Sequence, residues 1–571
     1  MSKRNAAPRV SDSDLIVIGA GAAGMTAALV GALEGYKVTL YEASEQVGGT
    51  TATSAGTLWI PGNSQGLRAG HDDSLEKART YLDALIGPDD QDGLRAAYLE
   101  SAAQAIDYLQ AHSAVEFISS GTHPDYLELK GAAQAGRAIS PAQFDGRLLG
   151  AEFRRVRPPI PHFMVLGGLM VGKADIQALL GRFQSFSNFF HSARIVGRYA
   201  FDRLNGYGRG TRLLMGNALV AQLLFSLRRV GVKIVYGARC QKLLLQEGRV
   251  TGALMLHQNG AIHASHARIG VVLCAGGIGH HPQLRHALGA TAQGSHSLSF
   301  EGNLGEGIDA ARAIGAALKR SAPDFLWQPV SKVPGTRDYP DSLYPHLFLD
   351  RAKPGLIAVN RTGRRFVNEG ASYHHFVEGM RQASEATTSL CPAYLICNAD
   401  FVKRYGLGAI HPGTTNLKDW AARGYISLAD SIKSLAIQLK VDPNGLRASV
   451  EQMNQAAAQG HDAIFGKGST AVSRFNGDPG HTPNPCLAPL GLGPYVGLEV
   501  WPGESASSSG LLTTAHGQVL DEAGSVITGL YACGNDMASI WRGHYPGPGA
   551  TLGPAMVFAY RIIHGLRTRS T

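Results

Sequence analysis

The first concentrated apolar run is Leu15-Ile16-Val17-Ile18, whose β-branched residues predict a buried strand over 14–18. Gly19-Ala20-Gly21-Ala22-Ala23-Gly24 follows directly, then an Ala-rich helical stretch that breaks near Gly35. Residues 37–41 (KVTLY) alternate as a second strand and end at Glu42. Two later apolar runs finish in small or polar residues: 270–277 (GVVLCAGG) and 529–536 (GLYACGND). Between them, from about 298 to 480, the pattern changes to helical spacing over 305–318, 427–439 and 445–458. The expectation is an α/β chain: a Rossmann-like domain from 1–297 and 481–571, with residues 298–480 inserted as an α+β cap or catalytic domain. A length of 571 residues fits two or three domains.

The uncharged stretch 15–33 follows a short basic N-terminus and imitates a signal anchor. Its glycines and compact opening strand predict strand–turn–helix instead. No later stretch is long and apolar enough to span a bilayer, so a cytoplasmic protein is expected, with membrane contact at most at the inner surface. Composition narrows the picture further: 44% hydrophobic and 17% charged residues exclude long disorder. The charge is 53 − 44 = +9, which favours anionic partners. One basic stretch stands out, residues 173–212, where Phe183, Phe186, Phe189, Phe190 and Phe201 interleave with Lys173, Arg182, Arg194, Arg198, Arg203 and Arg209. Two readings stay open, a membrane-surface segment or a helix packed on the first domain with its arginines in water. Nucleic acid is not an expected partner, because no recognised nucleic-acid module accompanies the charge. Six cysteines include no CxxC pair, and a reducing compartment fits them. The pairs His280-His281 and His374-His375 predict no metal site, since adjacent side chains diverge.

The glycine motif has a definite chemistry. Gly19 and Gly21 let main-chain amides approach a pyrophosphate, Ala22 and Ala23 open the helix, and Gly24 lets helix and strand pack closely. Glu42, 18 residues after Gly24, has the spacing of a ribose-binding carboxylate, with Ala43 beside it. The continuation Gly48-Gly49-Thr50-Thr51, the small residues Ala275-Gly276-Gly277, and Gly534-Asn535-Asp536 favour FAD over NAD. No second such motif follows a strand, so electrons should leave to an external acceptor, a quinone or similar. Near the C-terminus, Gly543-His544-Tyr545-Pro546-Gly547-Pro548-Gly549 forms a stiff loop before a helix starting near Ala550-Thr551-Leu552. That helix end can stabilise negative charge on reduced flavin, while Tyr545 and the Gly549 amide can converge on one carbonyl oxygen.

These motifs resemble the FAD-binding domain of the fumarate reductase flavoproteins. The sequence 545–549 (YPGPG) followed by ATLGPAM resembles, more narrowly, the 3-ketosteroid Δ1-dehydrogenases. Residues 365–373 (RFVNEGASY), Pro124-Asp125-Tyr126, and Gly136-Arg137 resemble further segments of that family, as do 206–211 and 216–220. The resemblance implies non-covalent FAD, since residues 53–61 hold no histidine for a covalent link. It also implies a 3-ketosteroid substrate desaturated at its 1,2 bond. Tyr545 and Gly549 would hold the carbon 3 oxygen, Tyr373 would take the carbon 2 proton, and carbon 1 would pass hydride to flavin. Tyr126 would hydrogen-bond to Tyr373 and relay the proton, and because a free phenol has pKa about 10, an alkaline optimum is expected. Tyr126 is followed by Leu127 where the family often has a second tyrosine, and Ser507-Ser508-Ser509-Gly510 stands where a threonine and paired glycines are common. The resemblance also likens 173–212 to an insertion in membrane-associated members. Rival readings are a Δ4-(5α)-dehydrogenase, a fumarate-type carboxylate reductase, and a non-catalytic FAD-binding protein.

Overall fold

The computed structural model describes residues 12–288, 295–336, 340–347, 350–385 and 391–567. The basic N-terminal residues lie outside this set. Strand Asp12–Ile18 (β1), helix Ala22–Leu33 (α1) and strand Val38–Tyr41 (β2) form the opening unit. β1 is flanked by two parallel partners, β2 on one side and the strand Ile262–Leu273 on the other. Lys233–Val235 extends the sheet beyond β2, and Val526–Ala532 pairs in parallel with the end of Ile262–Leu273. These five parallel segments run the same way, so their carboxyl ends open on one edge. Ligands of open α/β sheets bind at that edge. The loops at Gly19, Glu42, Ala275 and Gly534 all emerge there.

The sheet is buried from both sides. β2 is buried at every position, and Leu15, Ile16 and Val17 have no exposed surface. α1 has little apolar asymmetry because it packs against Leu552–Arg567 and Met215–Arg229 together. Its Gly31 lies where a Cβ would meet the Val38 side chain at 2.9 Å.

A second, mostly antiparallel sheet has the order Ser342–Pro345, Phe325–Val333, Tyr495–Ser507, Ala393–Asn398, Ile357–Val359. Its central strand Tyr495–Ser507 is 13 residues long and also takes on His296–Ser297 and Ser427–Ala429. The expected domain limits at 297 and 480 therefore do not coincide with this sheet, which draws in residues 296–297 and 495–507. A 13-residue strand of mixed small and polar residues carries weak periodicity, which hid it. Two expected helices are shorter than expected. Glu306–Arg312 stops before Gly315 (φ +92°), and Ser427–Ala429 is a strand, with the helix Ile432–Leu439 starting only after Ser431 caps it. The third, Pro443–Gln459, matches closely.

Candidate active site

At the phosphate end of β1, Gly19 adopts φ +101°, and a Cβ there would lie 2.2 Å from the Cys274 carbonyl oxygen. A Cβ on Gly24 would lie 1.8 Å from the Gly19 oxygen, so only glycine allows this close crossing of strand, turn and helix. α1 begins after Gly21, which offers no capping side chain, and such helix ends take phosphate. The Thr51 hydroxyl accepts from Ala22 N–H at 3.1 Å, joining the second glycine segment to the first. Gly48 and Gly49 both have positive φ and lead into that turn. Thr50 accepts from Phe300 N–H at 2.9 Å and from the Asn303 amide at 3.2 Å.

Glu42 is 5% exposed, and its two oxygens accept from Ala20 and Ser44 N–H at 2.9 Å each. Each oxygen retains a further acceptor position, which suits ribose hydroxyls. Burial pushes its pKa up, while these amides and the Arg157 guanidinium pull it down. Ala43 stands beside it, partly exposed. Asp536 plays a structural part: its carboxylate accepts from Ala275 N–H at 2.6 Å and from Gly277 N–H at 2.8 Å. Burial raises it to about 6. Asp536 thereby locks two strand-end loops together and fixes Gly276 between them. Gly534, Asn535, Ala550 and Thr551 line one crevice at the start of the helix Leu552–Arg567. The residues present fit an extended dinucleotide across this edge.

The three candidate tyrosines come from distant parts of the chain and meet. Tyr126, Tyr373 and Tyr545 are 3, 7 and 5% exposed. The Tyr373 hydroxyl donates to the Tyr545 hydroxyl at 2.9 Å. The Tyr126 ring stacks on Tyr545 (centroids 5.7 Å, 25°) and meets Tyr373 edge-on (5.5 Å, 79°). Tyr373 thus meets Tyr545 as well as Tyr126, the partner expected for it. The Tyr126 hydroxyl has no partner in hydrogen-bond geometry, although it and Tyr373 lie close enough to shift each other's ionisation. The edge-on ring packing turns the Tyr373 oxygen toward Tyr545. Burial drives all three phenols well above the usual pKa of 10.

The loop bearing Tyr545 is clamped. The Pro546 carbonyl accepts from the Tyr81 hydroxyl at 2.7 Å and from Tyr126 N–H at 3.1 Å. Gly549 has φ +88°, and a Cβ there would lie 2.3 Å from the Thr57 oxygen. Trp541 donates to the Ala550 carbonyl at 2.6 Å, and Trp59 donates to Asp125 at 2.7 Å. Asp125 and Asp73 share the buried Arg137 guanidinium at 2.6 and 2.9 Å. These clamping residues escaped the sequence reading, except that Asp125 and Arg137 lie inside its motifs. Aromatic clamps on carbonyls carry no spacing signal. His374 and His375 do diverge: His374 accepts from Trp327 N–H, whereas His375 turns to Ser372. His281 caps a short turn through Gln283 and Leu284 N–H. Among the described residues no group of three or more His, Cys, Asp or Glu side chains could hold a metal ion.

The profile of the FAD binding domain family matches residues 14–552. The chain belongs to that family. It binds FAD and is an oxidoreductase. It is 35% identical over 557 residues to the 4-oxocyclohex-2-ene-1-carboxylate 5-dehydrogenase of Sinomonas cyclohexanicum, covering 96% of this chain and 92% of that protein. Identity to the 3-oxosteroid 1-dehydrogenase of Mycobacterium tuberculosis is 32% over 561 residues, covering 96% and 97%. The crystal structure of the 3-ketosteroid delta1-dehydrogenase from Sterolibacterium denitrificans in complex with 1,4-androstadiene-3,17-dione matches at a TM-score of 0.90 and 35% identity, covering 98% and 100%. The relatives named share desaturation beside a ring ketone.

Proposed function

We propose that this flavoprotein desaturates the 1,2 bond of a 3-ketosteroid. The observation that carries the reading is the meeting of Tyr126, Tyr373 and Tyr545 in one buried cluster on a clamped loop that ends at Gly549. FAD, held non-covalently by the loops above, supplies a hydride acceptor when bound. The chain's own residues supply the acid–base work. The Tyr545 hydroxyl and the Gly549 N–H hold the carbon 3 oxygen, so that charge arriving there meets fixed donors; one such donor contributes about 2.7–4 kcal/mol. Tyr373, as phenolate, takes the carbon 2 proton: the C–H bond breaks, an O–H bond forms, and the electron pair moves toward the ketone oxygen. The Tyr373–Tyr545 hydrogen bond has a use before the ketone binds, because Tyr545 then donates its one proton to an ionised Tyr373 and lowers the Tyr373 pKa; once the ketone is bound, that O–H turns to the carbon 3 oxygen. A Δ4-(5α)-dehydrogenase has less support, since the steroid relatives above act at position 1 by name. A fumarate-type site needs cations around a carboxylate. The nearest guanidinium to the cluster, Arg351, instead spends its donors on main-chain carbonyls.

A second reading is favoured by the 35% identical Sinomonas relative: a small oxocyclohexane carboxylate in place of the steroid. Identifying the product from androst-4-ene-3,17-dione and from 4-oxocyclohex-2-ene-1-carboxylate separates the two. The 1,4-diene from the steroid supports the first reading. Turnover of the carboxylate alone overturns it.

We further infer an external electron acceptor of the quinone type and a reducing, cytoplasmic setting. All six cysteines are buried, and Cys274 Sγ lies 3.4 Å from Cys533 Sγ without a disulfide. Among the described residues no helix is long and apolar enough to cross a membrane. The helix Phe186–Leu204 buries only Ser192, Ile195 and Asp202. Phe183 and Phe186 are 83 and 86% exposed, which supports contact with the surface of an anionic membrane.

A further inference from the structure

Arg351 is buried to 3% exposure beside the phenol cluster. Its guanidinium makes four hydrogen bonds, all to main-chain carbonyls. Nε donates to His346 O at 3.0 Å, Nη2 to Leu347 O at 3.1 Å, and Nη1 to Glu369 O at 2.9 Å and Ala371 O at 3.1 Å. It also lies over the Phe376 ring at 4.7 Å. Glu369 and Ala371 lead straight into Tyr373, the first residue of the helix Tyr373–Glu385, and Phe376 is one turn further on. Arg351 therefore grips both the approach to Tyr373 and the helix that carries it.

What the Arg351 guanidinium lacks is a carboxylate in direct contact. Among the described residues no carboxylate lies within ion-pair distance of its guanidinium, whereas the other deeply buried arginines here have one: Arg137 pairs with Asp73 and Asp125, and Arg365 with Glu369 and Asp462. The neighbouring Asp350 carboxylate is engaged elsewhere, with His346 at 2.6 Å, Gly408 N–H at 3.1 Å and the Arg351 main-chain N–H at 2.8 Å. Asp350 and Glu369 attract it only through space, and a buried charge without a contacting counter-charge is expensive, yet the protein keeps one next to three phenols.

We propose that Arg351 is a positioning residue whose unpaired guanidinium is the built-in counter-charge for the phenolate formed in the Tyr126–Tyr373–Tyr545 cluster. The inference rests on the reading of that cluster as the proton-abstracting centre. Its electrostatic direction agrees: Arg351 lowers the pKa of Tyr126, against a burial term that raises it. The other titratable groups around the cluster do not take this role. Tyr81 faces Tyr126 as a further buried phenol, and Asp125 is already paired with Arg137. His123 and His375 are each held down to about 4, largely by burial, and so stand neutral. His374 is bridged to Glu378 at 3.2 Å, and burial also lowers His544. Burial lowers Arg351 to about 10, while Asp350, Tyr126 and Glu369 hold it up, so it stands as a cation beside the cluster at neutral pH.

The test compares wild type, Arg351→Lys and Arg351→Met, each with FAD bound, by two measurements. One is the pH profile of flavin reduction by androst-4-ene-3,17-dione in a single turnover. The other is the near-ultraviolet absorbance of tyrosinate during a pH titration without substrate, with Tyr126→Phe as the reference. The alkaline limb should move up by about one pH unit or more in Arg351→Met, equivalent to tenfold or more at fixed pH, and return most of the way in Arg351→Lys. The part of the tyrosinate signal that Tyr126→Phe removes should move with it. A uniform loss of rate with an unmoved limb and unmoved tyrosinate signal would mean a purely structural arginine and overturns the inference. If Arg351→Met does not fold, Arg351→Gln replaces it as the uncharged variant, with a raised limb supporting the inference and an unmoved one overturning it. Failure of the underlying reading shows differently, as no flavin reduction by steroid in the wild type.

Discussion

Two aromatic-rich regions of this chain are built on opposite principles. In the helix Phe186–Leu204 and the turn before it, the rings point outward. Phe183, Phe186 and Phe190 are 83, 86 and 67% exposed, and the helix is held from beneath by Ile195, by Asp202 accepting from Thr211, and by Arg198 paired with Asp145. In the tyrosine cluster the rings are buried and each side of the loop is fixed by a hydrogen bond to a carbonyl. An exposed apolar ring gains only when something else covers it, which is the basis of the membrane contact proposed for the first region. A buried phenol has lost its water and must find charge or donors inside the protein, which makes the second region reactive. Aromatic content alone does not distinguish the two; burial and the polar tip do.

The largest expected effect comes from removing the polar tip. Tyr545→Phe deletes a donor at the ketone oxygen, and kcat should fall about 10²–10³-fold with the FAD absorbance unchanged. Tyr373→Phe should lose turnover more completely, because the proton acceptor itself is gone. Steady-state assays on proteins matched for flavin content measure both, and near wild-type kcat in both variants would break the distinction between the two regions.

Next in size is Gly549→Ala. Its added Cβ has no room beside the Thr57 oxygen, and φ +88° is strained for alanine, so the loop must shift. A rate loss of about tenfold or more with retained FAD is expected, together with a lower melting temperature. The pH dependence follows from the phenols. Burial raises their pKa, so the phenolate fraction at neutral pH is small and grows with pH. Flavin reduction should therefore accelerate from neutral to alkaline pH, whereas a histidine base, with an ordinary pKa of about 6.5, would already be on its plateau there. A flat profile measured by stopped flow would remove the phenolate.

The smallest effect on catalysis is expected in the other region. Phe186→Ser and Phe190→Ser should change stability by less than about 0.5 kcal/mol, since neither ring is packed, and leave kcat alone. They should nonetheless reduce flotation with anionic liposomes. Equal flotation would leave the exposed rings without the membrane role proposed for them.

The dinucleotide edge was legible in the sequence because its demands are steric and local. Gly19 and Gly24 occupy crossings that a Cβ would block, and Glu42 follows at a fixed distance along one strand–helix–strand unit. The candidate tyrosines were legible only through motif resemblance, yet all three converge. What could not be read was their partnering. Tyr373 bonds to Tyr545 in addition to acting on Tyr126, a matter of ring angles set by neighbours far away in sequence. The second domain's limits were missed at 495–507, where one long strand returns through the inserted sheet. Arg351 carries no motif at all; its importance lies in a missing partner, which only packing reveals.

The central claim is that a phenol of this cluster removes the carbon 2 proton. Exchange of that hydrogen with solvent deuterium, followed by mass spectrometry on ketosteroid incubated anaerobically with the reduced holoenzyme, isolates the step from hydride transfer. Wild type should exchange carbon 2 hydrogen faster as pH rises, and Tyr373→Phe should not exchange it above background. Equal exchange by wild type and Tyr373→Phe would contradict the account.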